Sequence, residues 1–214
     1  MKYLISVAVS LLLFVSCNCI GLTKSIKSVI SENTTSVVMV GFEHGHCTGF
    51  VVSKDVIMTA GHCIDDLQHQ LKVLDSTGTE HVAIPFFDDD ELDLGLLYVL
   101  NLKLPPLPLA TKEPIIGERL MVIGFPGYAQ GSKMFEVGYL KGFMRTPKRN
   151  FLISDNMLFR GESGGPVFDE TGLVVGVAVG IKPLIDVIDQ TIMYQYKDLA
   201  YIVSIVDVLS VLGE

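Results

Sequence analysis

The chain has 214 residues, 49% of them hydrophobic, which is enough for one large core or two small ones and argues against disorder. The formal net charge is -8, the basic residues form no stripe, and nucleic acid is therefore a poor partner.

Met1-Lys2-Tyr3 followed by the apolar stretch 4–15 reads as a secretory signal. Roughly a dozen apolar residues are too few for a mature membrane span. The signal is assigned to residues 1–19, which leaves a mature chain of ~195 residues. Phe14-Val15-Ser16-Cys17 resembles a bacterial lipobox with phenylalanine in the usual leucine place, so Cys17 is a candidate lipidation residue, against ordinary cleavage between Cys17 and Ile20. Acylation there would tether the protein to a membrane without spanning it. No other segment is long and apolar enough to cross. The expected location is secreted, periplasmic or cell-envelope.

After the leader, short runs rich in Val, Ile and Phe recur at 37–42, 48–52, 56–59, 71–74, 81–84 and 94–100, and again at 119–123, 135–142, 151–154, 166–168, 174–179 and 190–196. Turn residues separate them, the spacing expected of an all-β antiparallel sandwich or barrels and not of βαβ units. Between the two series, prolines 105, 106 and 108 forbid a central strand or a helix. The chain therefore divides into halves, 30–104 and 105–214, expected to form one domain with a cleft between them. Apolar residues at 203, 205, 206, 208, 209, 211 and 212 predict a terminal packing helix, with Gly213 as its cap.

Of the four cysteines, Cys17 and Cys19 lie in the export region, leaving Cys47 and Cys63. In an exported chain these are expected to form a disulfide closing a loop of about 15 residues, worth roughly 3 kcal/mol in the chain-entropy model. The competing reading is a zinc site from His44, His46, Cys47 and Cys63, whose spacings match no common zinc pattern.

The chemistry lies in three motifs. Thr59-Ala60-Gly61-His62-Cys63 comes first, then Asp93-Leu94-Gly95-Leu96-Leu97, then Gly161-Glu162-Ser163-Gly164-Gly165-Pro166. An imidazole, a carboxylate and a hydroxyl can together turn a serine into an acylating nucleophile. Residues 161–165 also fit the nucleophile elbow of the α/β-hydrolases, whose histidine must follow the serine. The histidines are His44, His46, His62, His69 and His81, all upstream of Ser163, which rules against that fold. A subtilisin order would need an aspartate before His62, where only Asp55 stands. The acidic run Asp88-Asp89-Asp90-Glu91 lacks the glycine and alternation of a calcium loop, so an acidic turn leading into a strand is the simpler reading.

These motifs resemble the trypsin/chymotrypsin-like serine peptidases, most closely the bacterial Deg/HtrA-type protease domains without PDZ domains, over about residues 36 to 210. The resemblance is sharpened by Ser154-Asp155 and by Ala200-Tyr201-Ile202-Val203. It implies two six-stranded antiparallel β-barrels with a C-terminal helix. It also implies a serine endopeptidase acting on proteins or peptides without metal or organic cofactor: Ser163 as nucleophile, His62 as general base, Asp93 as its orienting partner. The backbone N–H groups of Gly161 and Ser163 would form the oxyanion hole. Deg-type enzymes usually continue into PDZ domains, and because the sequence stops at Glu214 peptide-regulated activation through them is not carried over. Glu162 stands where trypsin-like zymogens carry an aspartate that pairs with a newly cut N-terminus. No Ile-Val-Gly-Gly occurs near residues 20 to 40, so activity without zymogen cleavage is expected.

By the same resemblance, the pocket before the scissile bond is lined by Met157, Ala178, Val179 and Gly180, favouring small or medium apolar residues. Asp155 and Arg160 are the charged neighbours that would alter that preference. Two alternatives stand beside the peptidase: a catalytically silent binding module of the same fold, and an esterase using the same residues.

Overall fold

The structure, a computed structural model, describes residues 23–42, 45–64, 71–146, 149–180, 187–188, 191–192 and 199–212. The leader with Cys17, together with His44, His69 and the Gly213 cap, lies outside the described residues.

Helix α1 (Ile26–Asn33) precedes the strands and was not anticipated from the sequence. Its signals are modest: Ser25 caps the first turn by accepting from the Ser28 amide at 3.1 Å, and apolar residues stand at 26, 29 and 30. Val29 is fully buried, so the helix is a plug on the core.

The first closed barrel contains β1 (Val37–Phe42), β2 (Gly45–Ser53), β3 (Val56–Ala60), β4 (Leu71–Leu74), β5 (Glu80–Asp89) and β6 (Leu94–Tyr98), in the spatial order β1-β2-β3-β6-β5-β4. The second contains β7 (Arg119–Gly124), β8 (Met134–Arg145), β9 (Asn150–Ser154), β10 (Pro166–Phe168), β11 (Val174–Gly180) and a final strand, in the order β10-β11-final-β9-β8-β7. All these ladders are antiparallel, and closure removes the free edges that would otherwise invite aggregation.

The final strand corrects the sequence reading. It is Ala200–Ser204, paired with both β9 and β11, and not 190–196. Within 190–196, Thr191–Ile192 (β13) instead pairs with Val187–Ile188 (β12) as a separate small hairpin, so the barrel strand is β14. The physical reason is burial on both faces: every residue of β14 is buried, and such a strand lacks the alternation that marks a half-exposed one. Its apolar run merges in sequence with helix α2 (Ile205–Leu212), which begins one residue later. Ser204 caps α2 by accepting from the Val206 amide, and Asp207 in its first turn accepts from the Asn150 backbone and side-chain nitrogens.

Burial also separates outer strands from those at the seam. β5 and β8 show exposed positions along most of their length, whereas the middle of β2 and nearly all of β11 are buried on both faces. β1 packs against β7, and β3 against β11, across the seam. The proline segment crosses between barrels as irregular chain, held where Ser36 Oγ donates to the Pro105 carbonyl and the Leu107 amide to Val51.

Candidate active site

His62 sits in a tight 3-10 turn, Gly61–Cys63, directly after β3. Glycine at 61 allows a close approach: a Cβ there would lie 3.0 Å from both the Leu94 amide nitrogen and an Asp88 carboxylate oxygen, which would have to yield a few tenths of an ångström. The close approach lets the strand carrying Asp93 run beside the His62 turn. Cys63 is bonded to Cys47 of β2, which ties the same turn to the barrel wall.

Asp93 precedes β6, with φ of 58° and only 5% exposure. The turn before it is built by Asp89, whose Oδ1 accepts from the Glu91 and Leu92 amides. The acidic run thus shapes the turn that delivers Asp93. Its Oδ1 accepts from the His62 amide and lies 2.9 Å from His62 Nδ1; Oδ2 lies 3.1 Å from the same nitrogen. A carboxylate can only accept, so Nδ1 carries the hydrogen and the lone pair is left on Nε2. The imidazole itself is 37% exposed, available at the surface of the seam.

Ser163 lies across the seam, in the loop leading to β10. Its carbonyl accepts from the Thr48 amide of β2 at 2.8 Å and lies 3.9 Å from the Cys63 sulfur, which brings the His62 turn and the serine loop together. The Gly164 amide donates to Ala178 at 2.6 Å, and the Ala178 amide returns a bond to Gly165. A Cβ on Gly180, where φ is 84°, would come within 3.2 Å of Ser163 Oγ, so the end of β11 passes beside that hydroxyl. Among the described residues, neither the Gly161 nor the Ser163 amide donates to a protein acceptor.

Thr48 had no sequence motif to mark it. Its Oγ1 donates to the Gly161 carbonyl at 2.7 Å and accepts from the Phe125 amide at 2.9 Å, while its own carbonyl accepts from Thr59 Oγ1. One fully buried hydroxyl therefore couples three segments of the site. Gly161, at φ of 98°, needs to be glycine, since a Cβ would fall 2.3 Å from the Phe125 carbonyl oxygen and 2.7 Å from His46 Nε2.

Glu162 was noted in the sequence for its position alone. In the structure it is fully buried, and Oε2 accepts from the Phe159 amide at 2.8 Å. Oε1 has no hydrogen-bond partner among the described residues. Burial raises its pKa to about 7, against the pull of the Phe159 bond and with help from the negative charge of Glu136.

Of the residues expected to line the substrate pocket, Ala178 and Val179 are buried, Gly180 borders Ser163 Oγ and Met157 is exposed. Asp155 is engaged elsewhere: its carboxylate meets Lys141 at 2.5 Å and the Tyr139 amide at 2.6 Å, and these hold its pKa below the usual value despite partial burial. Arg160 is exposed, and its carbonyl accepts from the Gly127 amide. Of the four residues of the zinc reading, His44 lies outside the described residues and the other three are engaged elsewhere. Ligand atoms of Cys47, His62 and Cys63 lie within 4.8 Å of one another, but the two sulfurs are joined, and His46 Nε2 is bonded to the Phe125 carbonyl.

Two closed six-stranded antiparallel barrels meeting at such a seam are the chymotrypsin-like fold. The chain belongs to the trypsin-like peptidase family, whose domain model matches residues 47–177. It is 29% identical over 142 residues to serine protease Rv3671c of Mycobacterium tuberculosis, covering 62% of this chain and 35% of that one. It is 30% identical over 139 residues to serine protease HTRA1 of Xenopus laevis, covering 61% and 30%. A probable periplasmic serine endoprotease, DegP-like, of Chlamydia trachomatis is 28% identical over 138 residues, covering 63% and 28%. The chain spans about a third of the length of these relatives. Among solved structures, the active form of the Rv3671c protease from M. tuberculosis superposes with a TM-score of 0.72 at 23% identity, covering 86% of this chain and 82% of that one. The serine endoprotease of Yersinia pestis gives 0.72 at 21% identity, covering 89% and 66%. No helix among the described residues is long and apolar enough to cross a membrane.

Proposed function

We propose that this chain is an exported serine endopeptidase that cuts peptide bonds through an acyl-enzyme on Ser163, with His62 and Asp93 completing the triad. The observation that carries the reading is the double hold of Asp93 on His62, backbone and ring together, on the turn that meets the Ser163 loop. Residues 1–19 are removed on export, and the halves 30–104 and 105–214 work as one peptidase domain in the cell envelope or outside the cell.

With Nδ1 held by Asp93, His62 Nε2 takes the proton of Ser163 Oγ as that oxygen attacks the substrate carbonyl carbon. The proton then passes to the leaving amine, and a water repeats the sequence in reverse to release the acyl group. Asp93 stays ionised and stabilises the imidazolium. The Gly161 and Ser163 amides, which have no protein acceptor among the described residues, receive the developing oxyanion, each worth roughly 3 to 4 kcal/mol. The chemistry calls for no metal or organic cofactor. Met157, Ala178, Val179 and the bare backbone of Gly180 form an apolar pocket suited to small or medium aliphatic side chains.

Labelling with a fluorophosphonate probe tests the reading, alongside cleavage of a peptide library. Wild type should label and Ser163→Ala should not, with cleavage favouring substrates carrying an apolar residue before the cut. A folded wild-type chain that fails to label would point instead to a binding module.

A further inference from the structure

The feature left unexplained by this mechanism is the buried carboxyl of Glu162, the residue between Gly161 and Ser163 in the chain. We propose that Glu162 is a positioning residue that must carry a proton for the Gly161 and Ser163 amides to be held in place, so that the site slackens when the proton leaves. The proposal rests on Ser163 being the nucleophile.

The geometry sets the requirement. Residues 159–162 form a turn closed twice, by the Glu162 amide on the Phe159 carbonyl at 3.1 Å and by the Phe159 amide on Glu162 Oε2 at 2.8 Å. The side chain thus fastens the turn that carries Gly161. Oε1, by contrast, is buried without a hydrogen-bond partner among the described residues. A neutral carboxyl can place its hydrogen on Oε1 and still accept at Oε2, whereas a carboxylate would leave a bare charge out of contact with water. Opening the turn would return that charge to water.

The surroundings offer no compensation. From β7, Gly124 packs against the Glu162 side chain, where a Cβ would lie 3.0 Å from its Cγ, and carries no charge. From β2, Thr48 Oγ1 is committed to Gly161 and Phe125, and the His46 ring to the Phe125 carbonyl. β8 presents Glu136, a second acid whose charge opposes ionisation of Glu162. Tyr128 is a further titratable neighbour, its phenol pushed up by desolvation and by both acids. Lys133 lies over the Phe125 ring and donates to the Thr34 carbonyl, and burial lowers its ammonium to about 8. No cation pairs with Glu162 among the described residues.

The experiment is the pH dependence of fluorophosphonate labelling in the full mature chain for wild type, Glu162→Gln and Glu136→Gln. Glutamine keeps the acceptor for the Phe159 amide and cannot ionise. Between about pH 8 and about pH 9 the wild-type rate should fall by about tenfold, as for any single ionisation above its midpoint, while Glu162→Gln stays level. Lys133 is intact in that variant, so a fall due to its deprotonation would persist there and overturn the proposal. Glu136→Gln should move the wild-type fall to lower pH, and it serves as the deciding arm if Glu162→Gln does not fold. An unmoved fall in Glu136→Gln, or equal pH profiles in wild type and Glu162→Gln, would sink the role of Glu162 alone. Absence of labelling at every pH would sink the peptidase reading itself.

Discussion

Asp93 Oδ1 accepts both from the backbone amide of His62 and, at the same 2.9 Å, from its ring nitrogen Nδ1. One oxygen therefore fixes the height of the turn and the tautomer of the ring. In Asp93→Asn the amide oxygen can keep the backbone bond, but its NH2 can favour the wrong tautomer. The expected result is a folded protein with a melting temperature near wild type and a labelling rate lower by roughly 10⁴-fold. Retention of most of the rate would show that Asp93 acts only on the fold.

Thr48→Val replaces the buried hydroxyl by a methyl group of similar shape. The Phe125 amide and the Gly161 carbonyl are then both left unpaired, a loss expected to cost about 1 to 3 kcal/mol in each case. Because Gly161 is one of them, labelling should fall by more than global stability explains. Thr48→Ser keeps the hydroxyl and should recover most of the rate.

A methyl group on Gly180 would stand 3.2 Å from Ser163 Oγ on a backbone with φ of 84°. The left-handed conformation costs an alanine roughly 1 to 2 kcal/mol, which a stable barrel tolerates. The crowding of the nucleophile is the larger effect. Gly180→Ala is therefore expected to remain folded by circular dichroism while losing most peptide cleavage, with ester substrates of small acyl groups less affected.

The Cys47–Cys63 disulfide closes a 16-residue separation between β2 and the His62 turn. Replacing both cysteines by serine should lower stability by roughly 3 kcal/mol in denaturant titration, following the loop-entropy account. If the bond mattered only to chemistry, the denaturation midpoint would not move.

The burial of Glu162 also predicts how stability varies with pH. Its folded pKa, about 7, lies above the ordinary carboxyl value of 4.5, so the folded state holds the proton more tightly than the unfolded chain. Its contribution is fully present below about pH 4.5 and is lost as pH rises through about 7, a change of about 3 kcal/mol. Wild type minus Glu162→Gln stability, measured by denaturant titration at several pH values, should fall across that window. A difference independent of pH would show that the carboxyl is ionised throughout.

Much of this was legible in the chain because the signals are local. His62, Asp93 and Ser163 each stand in a short motif, and their order along the chain excluded two other hydrolase plans. The strand at 200–204 was hidden for the opposite reason: buried on both faces and joined to α2, it presents an apolar run without period. Helix α1 is a weak case, a short helix with a single serine cap beside an apolar leader. Thr48 was invisible because its importance lies in contacts 77 and 113 residues away. The environment of Glu162 likewise depends on β7 and β8 closing over it, which no neighbouring residue announces.

The bonds that Thr48 sends from the first barrel to the serine loop of the second have a kinetic corollary. Opening the chain between Leu104 and Pro105 would leave each fragment with a complete barrel ladder, but His62 and Thr48 on one and Gly161 and Ser163 on the other. At concentrations well below the dissociation constant, turnover by the mixed fragments would scale with the product of their concentrations, making its rate a direct gauge of how tightly the two barrels associate.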